Sequence, residues 1–131
     1  MKSLFLSFVG AMSLLAAVSA ESHHSFAAEF DVNRPVKLTG TVTKLEWTNP
    51  HAWVFIDAKD DSGKVQSWAV ELVGINDLLR RGWGRDRVKQ GDTINVDGFG
   101  AKNGTNTANA ASVTLASTGE LVWASVRKDE R

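Results

Sequence analysis

From Val36 onward the chain alternates. In VKLTGTVTKLEW, Val36, Leu38, Gly40 and Val42 fall on one face, and the apolar positions then move to Leu45 and Trp47. Side chains of a strand alternate between faces, so a change of parity needs one extra residue; the pattern predicts a bulge near Lys44. HAWVFIDA reads as a second strand, with Val54 and Ile56 facing one way and His51, Trp53 and Phe55 the other. In the connection, Pro50 biases Asn49 to an extended conformation and offers no N–H to a ladder. KDDSGK is a turn, and VQSWAVEL returns as a third strand that places Trp68 in or beside the core.

The period then changes. Ile75, Leu78 and Leu79 are spaced as one face of a helix, and arginines and a glycine follow, which is how a short helix ends at about Arg81. TINVDGF reads as a fourth strand, ASVTLA as a fifth, and ELVWASV as a sixth or an extension of the fifth. Three strands, one short helix and two or three further strands is the order of an OB-like β-barrel, whose closure hides strand edges. The expected fold is therefore all-β with one short helix between strands three and four, and a six-stranded sandwich is the alternative. The barrel is expected over residues 36–126, after an N-terminal segment 21–35 and before a charged tail 127–131.

The first twenty residues alter the picture. Lys2, an apolar run from Leu4 to Val18 and the small residues VSA ending at Ala20 have the grammar of a cleaved secretory signal peptide. The expected product is a periplasmic or secreted protein beginning at Glu21, without stable membrane insertion. Cleavage removes Lys2 alone among the charges, leaving 14 basic against 15 acidic residues, so no global field draws the protein to nucleic acid or to anionic lipid. There is no cysteine, so an oxidising compartment supplies no disulfide, and packing must hold the barrel, with five tryptophans as its largest payload.

HHSFAAEFD, then GTVTKLEWTNPHAWVFID, then the later GW, KQGD and VTLA stretches resemble a family of small exported bacterial proteins known as domain of unknown function 6152. The resemblance spans His23 to about Val122. It implies export and a small β-rich fold, and it brings no settled activity.

Function must then be read from candidate sites. The histidines are His23, His24 and His51. His51 opens the second strand immediately after the connection between strands one and two, in the region where OB-type folds bind ligands. Trp53 and Phe55 share its face, and Trp47 and Asn49 flank the preceding loop. Together they suggest an aromatic surface for a peptide, a glycan or another envelope partner, or ordinary packing around a solvated strand end. If the chain starts at Glu21, the terminal amine, the amides of Ser22 and His23 and one imidazole form a planar nitrogen set suited to Cu(II) or Ni(II). Alternatively His23 or His24 joins His51, with Phe26 and Phe30 holding the segment on the barrel, and Zn(II) is then also accommodated. Both methionines lie in the leader, so no soft ligand for Cu(I) remains and Cu(II) is favoured. A frayed terminus without ligand, or a structural envelope protein, is the bland alternative. The basic run RRGWGRDRVK could hold a phosphate or an acidic polymer, or simply complement the helix end. No nucleophile elbow, phosphate-cradling glycine motif or placed carboxylate pair is present, so the expectation is a binding protein and not an enzyme.

Overall fold

The computed structural model describes residues 26–125. The leader, Glu21, Ser22, His23 and His24, and the tail 127–131 lie outside the described residues. Six strands are formed: β1 Phe30–Glu46, β2 Trp53–Lys59, β3 Val65–Glu71, β4 Thr93–Ala101, β5 Thr107–Leu115 and β6 Leu121–Ala124. The helix α1, Ile75–Arg80, lies between β3 and β4. The strands make one sheet in the order β3-β2-β1-β4-β5-β6, and a parallel pairing of β3 with β5 closes five of them into a ring. This is the OB-like arrangement expected from the order of elements.

β1 makes the closure possible. It is 17 residues long and pairs with β4 through its first part and with β2 through its second. Val42 is opposite Ile56 and Lys44 is opposite Phe55, so Thr43 is the extra residue of a bulge. The parity change at Lys44 is thereby accounted for, and both Val42 and Leu45 pack on the core. β1 also begins earlier than the alternation does. Phe30 pairs with Ala101, and the register slips before Pro35, where Arg34 donates to the carbonyl of Ala101. Tertiary contacts extend the strand where the local pattern is silent. β4 bends similarly at Gly98, where a Cβ would lie 2.2 Å from the carbonyl oxygen of Asn109.

Inside the ring, Val54, Val70, Ile94 and Val113 are fully buried together with Trp83. Each such aliphatic side chain stabilises the fold by roughly 1.5–3 kcal/mol. Trp68 is partly buried and packs against this cluster, on the same parity as Val70. In α1, Leu78 is buried but Leu79 is 51% exposed, because a helix this short turns a single side chain squarely inward. It ends at Gly82, whose φ of 91° lets Trp83 N–H reach back to the carbonyl of Leu78 at 2.9 Å. That reversal drops the Trp83 indole into the core. A second helical segment, residues 26–29, precedes β1 and was not expected; a single turn is too short to show a period.

Candidate functional site

Residues directly opposite one another in a sheet share a face. Across the ring run Glu46, Trp53, Glu71, Asn109 and Phe99, each opposite the next on a neighbouring strand. Their chain neighbours Val54, Val70 and Ala108 point into the core, so this row lies on the outside of the barrel. His51 stands beside it, in the connection between β1 and β2.

The geometry at His51 fixes its tautomer. Nδ1 lies 2.9 Å from the carbonyl oxygen of Leu72, which can only accept, so Nδ1 carries a proton and donates it. The same nitrogen is 3.5 Å from Oε1 of Glu71. In the neutral ring Nε2 is then the lone-pair nitrogen, on a side chain that is 40% exposed. Glu71 is only 8% exposed and accepts a hydrogen bond from the Asn109 amide at 3.2 Å. Burial pushes its carboxyl above the usual carboxylate range, and the charge of Glu29 adds to the rise, while His51 and the Asn109 hydrogen bond pull it back.

The N-terminal turn covers one end of the row. Phe26 stacks on Phe30 at 5.7 Å between ring centroids and meets the edge of Phe99 at 6.0 Å. Lys102, in the β4–β5 connection, donates its backbone N–H to the Glu29 carbonyl at 2.9 Å and its ammonium to the Ala27 carbonyl. The anchoring expected of Phe26 and Phe30 has its apolar partner in Phe99. Beneath the turn, a shallow cavity of about 300 Å³ is bounded by Glu29, Lys102, Asn103 and Thr107.

Of the residues read from the sequence, the structure brings His51, Trp53 and Phe55 to the outer face and places Trp47 and Asn49 elsewhere. Trp47 packs on Trp83 at 6.5 Å between centroids, with the guanidinium of Arg85 5.9 Å from its own ring. Asn49, followed by a cis bond to Pro50, accepts the Ile75 N–H at 3.1 Å and so holds the start of α1. In the basic run Arg80, Arg85 and Lys89 are exposed, with Arg80 in the last turn of α1, whereas Arg81 and Arg87 are tied into the fold. Arg81 donates to the carbonyls of Ala124 and Ser125, and Arg87 to the carbonyl of Leu121 and the carboxylate of Glu120. Among the described residues no three His, Asp or Glu side chains gather as a metal-binding group. Glu71 escaped sequence reasoning. Its signal was a lone charge at the end of VQSWAVEL, on the parity opposite to Trp68 and Val70.

A crystal structure of the mitochondrial single-stranded DNA binding protein Rim1 from S. cerevisiae is similar to this barrel, with a TM-score of 0.50 and 11% identity. The match covers 63% of this chain and 93% of that one, and it bears on the fold alone. None of the curated proteins matches the chain. A family model described as "Family of unknown function (DUF6152)" matches residues 12–110.

Proposed function

The chain belongs to that family of unknown function, and we propose that it is an exported binding protein that holds a divalent transition metal at His51 with the N-terminal histidines. The observation that carries this reading is the state of His51. A carbonyl and a carboxylate occupy its Nδ1–H side, leaving Nε2 as the ligand atom, which is how outer-shell groups orient a metal-binding imidazole. His51 alone cannot hold an ion. The missing donors are assigned to His23 and His24, a few residues before Phe26, whose docking on Phe99 brings the chain to this side of the barrel. Glu21 and Ser22 belong to the site only in the local chelate, where the terminal amine and amides are donors. Cu(II) is favoured, with Ni(II) and Zn(II) as alternatives, because the chain after Ala20 offers nitrogen and oxygen donors but no thiolate or thioether. We read it as a binding protein and not an enzyme, acting in the periplasm or outside the cell.

Untagged protein, expressed from the whole sequence with its own leader, should take up one Cu(II). His51→Ala should weaken uptake by at least about tenfold, in the range seen when a metal-site partner is lost. His23→Ala or His24→Ala should do the same. Unchanged affinity in His51→Ala would assign the ion to a local chelate at the terminus. If the wild type takes up no more Cu(II), Ni(II) or Zn(II) than a variant lacking all three histidines, the metal reading is lost. The outer aromatic face, Trp53 with Phe55, is then the better candidate for an envelope partner. A nucleic acid is disfavoured in either case, since Glu29, Glu46 and Glu71 would face its phosphates.

A further inference from the structure

The rings of Phe55, Trp47 and Trp53 invite comparison. Phe55 has the Lys44 ammonium 5.5 Å from its centroid, and Trp47 has the Arg85 guanidinium at 5.9 Å. Among the described residues Trp53 has neither, although an indole is the strongest of these rings as a cation partner. Its surroundings are nonetheless the most favourable to a cation. Glu46 is opposite it on β1 and Glu71 is opposite it on β3, which puts a carboxylate-bearing residue about 5 Å away at Cβ on each side. Lys44 pairs with Glu46 at 2.6 Å, whereas among the described residues no lysine or arginine pairs with Glu71 or Glu29. Among the described residues, this side of the barrel therefore has two carboxyls without a lysine or arginine partner, Glu71 and Glu29, near a part-exposed indole.

We propose that Trp53, flanked by Glu46 and Glu71, receives the ammonium or guanidinium of a lysine- or arginine-bearing peptide. The cation lies over the indole face, where the ring quadrupole and two carboxylates act together. A peptide fits better than a free amine because the surface is open. A small amine would touch one ring and remain mostly in water, whereas an extended chain also covers Phe55 and brings further cations toward Glu29. The inference does not require the metal site, although Glu71 is common to both, so a bound divalent ion should oppose the peptide.

The test uses untagged protein expressed from the whole sequence, kept in chelator at low salt and titrated with hexalysine and hexaarginine. Both should move the Trp53 indole N–H resonance, with affinity falling as salt is added. Trp53→Leu, which keeps apolar bulk but removes the ring, should weaken binding roughly fivefold or more, and Trp53→Ala likewise. Glu71→Gln, which can still accept from Asn109, and Glu46→Gln should each weaken it severalfold. Equal binding by Trp53→Leu, or equal affinity for hexaglutamate, would overturn the site. Spermidine binding as tightly as hexalysine would make the ligand a free amine and overturn the peptide. Tighter peptide binding after neutralising Arg127, Lys128 and Arg131 would make the occupant this chain's own tail, and a separate partner would be excluded. Because chelator is present throughout, loss of the metal reading leaves these outcomes untouched.

Discussion

The two charged regions of this barrel are organised in opposite ways. Around α1 and β6, five cations fall within ten residues, yet the guanidiniums of Arg81 and Arg87 are each tied to backbone carbonyls and a carboxylate. Arg80 pairs with Asp77, and Arg85 lies near the Trp47 ring. Across β2, β3 and β5 there are fewer charges, but Glu71 is nearly buried, its partners among the described residues are an amide and an imidazole, and its carboxyl is held above the usual range. Charge density marks the first region, and unbalanced charge marks the second. A cluster of cations closes loops when each one has a partner, whereas a buried carboxylate without a cation is a place where a ligand can still change the energy.

The largest effect should come from breaking the first region at its centre. Trp83→Ala should cost roughly 3–5 kcal/mol in a denaturant titration, the range for losing a buried large aromatic. Trp83→Phe should cost far less, since the buried Nε1 of Trp83 has no acceptor among the described residues and its loss removes no hydrogen bond. Trp68→Ala should fall below Trp83→Ala, because Trp68 is only partly buried. Next in size, Arg81→Ala should cost about 1–3 kcal/mol, as it frees two carbonyls of the β6 end and leaves Asp77 with Arg80 as its remaining partner. If Arg81→Ala left stability unchanged and instead abolished binding of a polyanion, the distinction between the two regions would fail.

How much of this was legible follows from which forces act locally. The faces of β1 and β2, the bulge beside Lys44 and the helix stop at Gly82 were readable, because period and turn chemistry are properties of neighbouring residues. The roles of Trp47 and Asn49 were not. Both looked like members of an aromatic binding loop, yet Trp47 is drawn to Trp83, and Asn49 holds the Ile75 N–H. Those partners lie far along the chain. Glu71 was missed for the same reason: its character comes from Trp53 and Asn109, brought to it by the β2–β3 and β3–β5 pairings, and from Glu29 in the turn before β1. The start of β1 at Phe30 likewise depends on Ala101, beyond the reach of a local pattern.

Phe26→Ala sharpens the comparison from the acidic side. Removing this ring takes away the contacts with Phe30 and Phe99 but leaves the ring of strands intact. Global stability should fall by only about 1 kcal/mol, the scale of one aromatic pair. Hydrogen exchange at the Lys102 amide, which donates to Glu29, should accelerate much more than exchange at the Val54 or Val70 amides. Equal acceleration at all three would mean that the turn is part of the core and not a cover laid upon it.

The smallest effect is also the most diagnostic of unbalanced charge. Burial raises the Glu71 carboxyl, so the native state keeps a proton over a pH range in which the unfolded chain has lost it. Stability must then fall as pH rises from the ordinary glutamic acid value through the raised native value, and above that the full penalty applies. Glu71→Gln removes the titration while keeping an oxygen that can accept from Asn109. In chelator, the variant should therefore gain on the wild type as pH rises from about 4 to about 8, the opposite of the trend for removing a carboxylate whose value is lowered. His51 works against the penalty whenever its ring is charged, because it attracts the Glu71 carboxylate. In a His51→Gln background that attraction is absent, so the benefit of Glu71→Gln should grow. A benefit that shrinks with rising pH, or that is the same in both backgrounds, would mean that Glu71 is already balanced in the free protein, and the acidic row would then resemble the arginines around α1.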